Sequence, residues 1–227
     1  MDAATINAKI YAGRAKAALR LGIDMVIYPY AASDTPLGQA GATIKVALNA
    51  GDNTYKRPNL YGHPIWFADC DGSKINTGDY LQTPDGSQTY FVGAKQSLLP
   101  IVFIECNAMV RVTRAAPPTA SAGAVGYSGQ CDTPGETVDL MGTTFNGALG
   151  TGWPASVLLG KGGQRATGSL PSGSPTSPGW SVLLPASAPA GIGIGDRIMD
   201  DQGRILAVAH AESTDMGYRI VATEVHA

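Results

Sequence analysis

The sequence predicts a mainly β protein in which one N-terminal helix is followed by two β-barrel-like or β-sandwich-like modules. Two observations carry this prediction. Only residues 6–21 have the composition and spacing of a helix, and the chain after Gly22 consists of short apolar runs separated by turn-forming residues. Apolar residues make up 44% of the 227 residues, which is enough for a buried core.

The predicted helix is rich in alanine, can be capped by Asp2 or Thr5, and ends at Gly22. At about 100° per residue, two stripes lie side by side on it. The apolar stripe consists of Ile6, Ile10, Ala17 and Leu21, and the basic stripe consists of Lys9, Lys16 and Arg20. One interpretation is a core-facing side next to a solvated side. The other is an interface, including Ile6 and Ile10, that docks onto an acidic surface of a partner.

The first β domain is predicted over residues 23–114, with the helix occupying 1–22. Residues 23–38 contain Pro29 and Pro36, and an extended arm that reaches a neighbouring subunit is one interpretation of them. The remaining apolar runs predict strands at 42–48, 65–68, 88–92, 101–106 and 109–114.

Residues 115–122 are predicted as a linker because they include two consecutive prolines, Pro117 and Pro118, which prevent regular strand pairing. The second β domain is then predicted over 123–227, with strands near 136–141 and 155–159. Glycine, serine and proline dominate residues 168–179, which we expect to form a long exposed loop.

The two halves share a short pattern of strand, tight turn, strand, loop and strand. It begins at Gly78–Leu81 in the first half and at Gly195–Ile198 in the second, and each copy has a turn glycine, Gly86 or Gly203. Glycine allows the positive φ that such hairpins require. The pattern indicates either an internal duplication or the chance recurrence of a common hairpin.

The C-terminal copy, Gly195–Ala209 followed by Tyr218–Glu224, resembles the small β-barrel of tailed-bacteriophage head–tail joining proteins, in which a Gly-Asp-Arg strand, a tight turn and a further strand precede a closing strand. The N-terminal helix together with Gly78–Leu81 and Leu98–Ile101 is similar to neck proteins of contractile-tailed phages. These matches cover less than half of the chain, and residues 123–190 match no family pattern.

This resemblance implies a virion protein that is not an enzyme. Copies would form a cyclic ring as a head–tail connector, adaptor or collar in contact with portal, connector and tail proteins. The protein would be made in the host cytoplasm and then become part of the virion. A charged fraction of only 15% agrees with a surface that neighbours cover, and no membrane segment is predicted because the most apolar window, 98–104, is too short.

The residues offer little for catalysis, metals or cofactors, and we predict none of the three. His63, His210 and His226 have no nucleophile elbow beside them. Residues 69–73 have oxygen ligands but lack the later glycine and glutamate of a calcium loop, so a turn is predicted there. The three cysteines, Cys70, Cys106 and Cys131, form no paired motif and are predicted to be reduced thiols.

Residues 160–165 resemble a phosphate loop only superficially, because Gly162 follows Lys161 where such loops have serine or threonine. Lys161 and Arg165 are instead candidates for non-specific contact with packaged DNA. Two alternative functions stay open. One is a baseplate or tail-fibre-associated virion protein, and the other is a carbohydrate-binding β protein that uses Trp66, Trp153 and Trp180.

Overall fold

The computed structural model describes residues 2–30, 35–49, 63–96, 98–115, 137–141, 144–145, 148–149, 152–160, 179–188 and 191–225. One helix, α1 (Ala3–Leu21), precedes fifteen strands in this part of the chain. They are β1 (Ile23–Tyr28), β2 (Thr43–Asn49), β3 (Ile65–Asp69), β4 (Tyr80–Gln82), β5 (Thr89–Ala94), β6 (Ile101–Cys106), β7 (Ala108–Ala115), β8 (Thr137–Asp139), β9 (Thr144–Phe145), β10 (Ala148–Leu149), β11 (Trp153–Leu159), β12 (Gly179–Leu184), β13 (Arg197–Asp200), β14 (Ile205–Thr214) and β15 (Gly217–Glu224). The predicted fold class, mainly β with an N-terminal helix and two barrel modules, is confirmed.

The first module is a closed six-stranded antiparallel barrel with the strand order β1-β2-β3-β6-β5-β4. It closes because β1 pairs with both β2 and β4. Alternate residues of each strand point into the barrel, as the two-residue period of a strand requires. The core is formed by side chains such as Met25, Ile27, Val46, Leu81, Val92 and Phe103, all of which are buried.

The interpretation of residues 23–38 as an arm is wrong for its first part. Residues 23–28 form β1, whose Met25 and Ile27 are buried inside the barrel. The strand ends where Pro29 follows, since proline has no backbone N–H to continue the ladder. The alternation of apolar residues at positions 23, 25 and 27 is the signal that identifies this strand.

The second module is formed by β7 and β11–β15. Its strands follow the order β7-β11-β12-β15-β14-β13, and β13 pairs with β7 to close the ring. β8 pairs with the end of β7, and β9 and β10 form a separate two-stranded ribbon. The core includes Val110, Val112, Val182, Leu206 and Ile220.

The expected boundary between the domains, at residues 114–115, is displaced. β7 belongs to the second barrel, because it pairs with β11 and β13 and buries Val110 and Val112 in their core. The first barrel therefore ends at β6, and Asn107 is the single residue between β6 and β7. The side chain of Asn107 donates to the carbonyl oxygen of Val157 at 2.8 Å and accepts from its N–H at 2.7 Å.

Two predicted segments lie mostly outside the described residues. Of the linker 115–122, Ala115 ends β7, and the remainder is not described. Of the loop 168–179, Gly179 begins β12, and its carbonyl oxygen accepts from the N–H of Gly160 at 2.7 Å. The strands that flank this loop are therefore joined as a hairpin.

The two barrels have the same topology. If β7 is matched with β1 and β11–β15 with β2–β6, the strand orders become identical. The repeated sequence pattern starts just before β4 in the first barrel and just before its counterpart β13 in the second. Gly78 and Gly195 have φ values of 91° and 89°, and their N–H groups donate to Val92 and Val208 at 2.9 and 3.0 Å. A β-bulge follows directly after each valine, so the internal-duplication interpretation is favoured.

The aspartate of each Gly-Asp pair is buried and accepts equivalent hydrogen bonds in the two barrels. Asp79 and Asp196 are each 1% exposed, and in both the Oδ2 atom accepts a backbone N–H from three residues earlier at 2.7 Å. The Oδ1 atom accepts from a residue near the end of the first strand of its barrel or just after that strand. That donor is the N–H of Tyr30 at 3.2 Å in one barrel and the Nε of Arg114 at 2.7 Å in the other.

Burial raises the pKa of the Asp79 carboxyl, although hydrogen bonds from the backbone of Asn76 and Tyr30 oppose this effect. We expect Asp79→Asn to lower the free energy of unfolding by about 1–3 kcal/mol, because an amide has one acceptor oxygen for two N–H donors. Because the folded-state pKa is above the unfolded one, the carboxyl's titration contributes stability that is complete below about pH 4 and is lost as pH rises through the raised pKa. Urea titrations should show that the difference in free energy of unfolding between native protein and variant shrinks as pH rises above about 4. A difference that does not change with pH would contradict the raised pKa of Asp79.

A tryptophan–glutamate hydrogen bond also recurs at matched positions. The indole Nε1 of Trp66 on β3 donates to Glu105 on β6 at 2.8 Å, and that of Trp180 on β12 donates to Glu224 on β15 at 3.2 Å. In each barrel the glutamate lies two residues beyond the position that pairs with the tryptophan. This second shared feature further favours a duplicated barrel.

The barrels pack into one body through a shared core. Tyr80, Phe91 and Ile104 come from the first barrel but belong to the buried cluster of the second. The hydroxyl of Tyr80 donates to the carbonyl oxygen of Pro154 at 2.7 Å, and its ring makes an edge contact with Trp153 at a centroid distance of 6.3 Å. The arrangement of the two modules is therefore fixed by direct packing.

Candidate interaction surface

Helix α1 forms because its ends are capped and its interior is rich in alanine. The side chain of Asp2 accepts from the N–H of Thr5 at 2.9 Å, which identifies Asp2 as the cap. The N–H of Gly22 donates to Ala18 at 2.8 Å. A Cβ atom at Gly22 would lie 2.8 Å from the backbone of Val46, so the helix can approach β2 closely only because this residue is glycine.

The side of α1 that packs on the first barrel is defined by Tyr11, Arg14 and Ala18. Ala18 is fully buried, and the ring of Tyr11 fills the space beside Gly72, in the 3-10 turn that follows β3. Arg14 lies 3.8 Å from Asp69 in an ion pair. The Nζ of Lys95 lies 5.5 Å from the centroid of the Tyr11 ring.

The apolar stripe does not face the core, so the core-facing interpretation is wrong. Ile6 is 38% exposed, Leu21 is 83% exposed, Ala17 is also exposed and Ile10 is half-buried. At 100° per residue the centre of this stripe is rotated by about 90° from Ala18, which makes the contact with the barrel. The stripe therefore runs along the flank of the helix, where water now contacts it.

The basic stripe lies on the side of α1 that points away from the barrel. Lys9, Lys16 and Arg20 are all exposed and lie about 160–200° from Ala18 around the helix. From the first to the last of them the helix rises about 16 Å. No acidic residue occurs within α1. The outer face of the helix is thus positively charged along most of its length.

Two leucines in the loop between β5 and β6 add to this surface. Leu98 and Leu99 are 62% and 53% exposed. Leu98 has a φ of 68°, which is rare for a bulky side chain and indicates a constrained loop. The guanidinium of Arg14 donates to the carbonyl oxygen of Leu99 at 2.8 Å and so holds the loop beside the helix. We call the apolar stripe, the basic stripe and these two leucines together the α1 surface.

A second exposed feature is the hairpin of β14 and β15. β5, the counterpart of β14, ends directly after its bulge at Ala94, whereas β14 continues to Thr214. The extension pairs with β15, and no other described strand pairs with residues 209–214. We call residues 212–217 the hairpin tip. Its Met216 is 39% exposed, and its Glu212 and Asp215 are exposed and form no ion pair with the described residues.

The other acids that the sequence singled out stabilise turns. Asp71 accepts from the N–H and the hydroxyl of Ser73 at 3.1 and 2.6 Å. Asp200 accepts from the Nε of Arg204 at 2.6 Å and from two N–H groups of its hairpin. Within the described ranges no three histidine, cysteine, aspartate or glutamate side chains cluster as metal ligands do.

The predicted DNA contacts, Lys161 and Arg165, lie outside the described residues, as do His226 and Cys131. His63 and His210 are both exposed. Burial raises the pKa of the Cys70 thiol to about 12, and this cysteine is therefore a protonated, unreactive core residue at neutral pH.

The two stripes of α1 were predicted from the sequence, whereas the exposed leucine pair and the hairpin tip were not. The signal for the leucine pair is Pro100, which cannot donate to a sheet ladder and so separates Leu98 and Leu99 from the strand that follows. The tip has a weaker signal, since Asp215 and Gly217 enclose Met216 in an ordinary turn sequence.

No helix in the described part of the chain has the length and apolarity of a membrane span. No protein-family model, curated protein or solved structure matches the chain.

Proposed function

We propose that this chain is a structural protein of a tailed-bacteriophage particle, a ring-forming head–tail connector, adaptor or collar subunit that joins the portal or capsid to the tail. The observation that supports this most is the α1 surface. Leu21, Leu98 and Leu99 are more than half exposed and lie on or against one helix. Exposed apolar side chains that are grouped and bordered by charge are typical of surfaces that bind other proteins.

The buried polar groups support a structural role. Asp79, Asp196 and Asp200 all accept backbone N–H groups of their own turns, and Asp196 and Asp200 each pair with an arginine. Among the described residues every buried side-chain nitrogen and oxygen has a hydrogen-bond partner. The polar interior of the barrels thus stabilises their shape, as a building block requires.

The partners under this proposal are further copies of the chain in a cyclic oligomer, together with portal, connector and tail proteins. The protein would be made in the host cytoplasm and function in the virion. Contact with packaged DNA through Lys161 and Arg165 stays a prediction from the sequence.

The carbohydrate-binding alternative requires an aromatic ring with a free face. Trp153 is buried in the core, and the guanidinium of Arg204 covers the ring of Trp180 at 4.3 Å from its centroid. Trp66 is half-buried and bonded to Glu105. None of these observations favours sugar stacking.

The proposal is tested by the oligomeric state of the purified full-length chain. We expect light scattering after size exclusion to give an integral multiple of 23.4 kDa and negative-stain images to show rings with a central opening. A non-cyclic assembly, such as an elongated trimer, would favour the baseplate or tail-fibre alternative. A protein that stays monomeric at all concentrations would contradict the proposal, and glycan binding by that monomer would favour the carbohydrate-binding alternative.

A further inference from the structure

We infer that neighbouring copies of the chain contact each other head to tail, with the α1 surface of one copy seated on the hairpin tip of the next. The inference rests on the proposed ring function and specifies the contact that builds the ring. Four features of the chain support it: the distribution of charge, the exposed apolar side chains of both surfaces, the extension of one hairpin, and the position of the two surfaces on different barrels.

The charge of the molecule is divided between the helix and the body. Residues 1–22 contain four cationic side chains and one acidic side chain, whereas residues 23–227 contain twelve and seventeen. The basic stripe of one copy is therefore complementary to an acidic surface of another copy. The hairpin tip offers Glu212 and Asp215, which the described residues leave without an ion pair. Arg219 lies opposite Glu212 on β15 and offsets part of this negative charge.

The apolar parts of the two surfaces also match. The α1 surface exposes Leu21, Leu98 and Leu99, and the hairpin tip exposes Met216, which directly follows Asp215. Methionine adapts its shape to irregular apolar surfaces, which suits an exposed contact residue. Apolar contacts at the centre with oppositely charged groups around them are the usual composition of a protein interface.

The hairpin extension itself needs an explanation that the barrel does not supply. The two barrels share their topology, their Gly-Asp turns and their tryptophan–glutamate bonds, yet only β14 and β15 extend beyond the bulge. The barrel closes without this extension, as the first module demonstrates. An extension in one of two like modules is explained if it contacts something outside the chain.

The two surfaces lie on different modules, since α1 packs on β2 and β3 of the first barrel and the hairpin belongs to the second. Where each pair of copies makes this contact once, the contact is heterologous, and it continues from copy to copy until a rotation closes the ring. Surfaces on two different modules agree with such an arrangement.

Charge exchange in the full-length protein tests the inference. One variant carries Lys16→Glu and Arg20→Glu, a second carries Glu212→Lys and Asp215→Lys, and a third carries all four changes. We expect the first two variants to raise the concentration for half-maximal assembly at least tenfold, because each places like charges in contact. The third should return to within about threefold of the native protein, measured by sedimentation velocity at low salt.

A control variant with Lys45→Glu and Arg197→Glu changes the net charge as the first variant does, outside the two surfaces. Lys45 is a partly exposed cation of the first barrel that pairs with Asp24, and Arg197 is an exposed cation of the second. It should assemble as the native protein does, and circular dichroism should show that all variants stay folded. Normal assembly of both double variants would overturn the inference. So would a quadruple variant whose concentration for half-maximal assembly is as high as that of the double variants. Rings that persist in those variants would leave the ring function intact, whereas a native protein that never assembles would contradict both.

Discussion

Replacing Tyr80 with alanine should lower the free energy of unfolding by about 3–5 kcal/mol, the cost typical of removing a large buried aromatic side chain. Tyr80 is 1% exposed and contacts the rings of Phe91 and Trp153 at centroid distances of 6.1 and 6.3 Å. It belongs to the first barrel by sequence and to the core of the second by packing. The variant therefore leaves a cavity at the junction of the two barrels.

Urea denaturation followed by tryptophan fluorescence and by circular dichroism provides the measurement. Tyr80→Phe keeps the ring and removes only the hydrogen bond to Pro154, so we expect a loss of about 1–2 kcal/mol. Tyr30→Ala is the matched control, because that side chain is half exposed and should change stability by less than about 1 kcal/mol. Separate transitions for two independently unfolding barrels in the native protein would contradict the shared core.

Replacing Gly217 with alanine should destabilise the protein by more than about 3 kcal/mol or prevent folding. Gly217 has a φ of 125°, and a Cβ atom there would lie 2.2 Å from the carbonyl oxygen of Leu184 and 3.0 Å from the N–H of Ala186. These are backbone atoms of β12 and the residues that follow it, so no side chain can move aside. The extended hairpin would have to separate from β12.

Gly203→Ala is the matched control for this variant. Gly203 also has a positive φ, of 80°, but a Cβ atom there meets nothing within 4 Å. Its cost is therefore limited to the backbone conformation, about 1–2 kcal/mol. Thermal melts of both variants at neutral pH give the comparison. Equal losses of stability in the two would contradict the close approach of the hairpin turn to β12.

The fold class and most strands were predictable because alternation of apolar residues is a local property. β2, β3, β5 and β6 lie within two residues of their predicted bounds. β1 was missed as a strand because Pro29 and Pro36 gave residues 23–38 the composition of an arm. The boundary at β7 was misplaced for a different reason. Which barrel a strand joins depends on long-range pairing, and here β7 pairs with residues of β11 and β13 that follow their partners by more than forty positions.

The orientation of α1 could not be derived from its own pattern. Ile6, Ile10, Ala17 and Leu21 form the most apolar side of the helix, yet the barrel contacts Tyr11, Arg14 and Ala18. The side of α1 with small residues packs on the barrel because Gly22 and Ala18 allow the backbones of α1 and β2 to approach closely. The larger apolar side chains are left on the flank, where they form the α1 surface.

The two barrels are stabilised by the same kinds of contact and are joined by a common core. One Gly-Asp turn and one tryptophan–glutamate bond stabilise each barrel in the same way, and the two modules pack against each other through the shared core around Tyr80. The features that differ between the two modules are the exposed ones to which we assign contacts with other subunits. α1 and the leucine pair are associated with the first barrel, and the extended hairpin with the second.

The most direct test of the central claim is the location of the chain in particles of the virus that encodes it. Antibodies against the purified protein, linked to gold and imaged on intact particles and on isolated tails and heads, give this location. We expect mass spectrometry of purified particles to detect the chain in several copies and the gold label to mark the junction between head and tail. Particles that assemble, infect and contain no copy of the chain would contradict the claim.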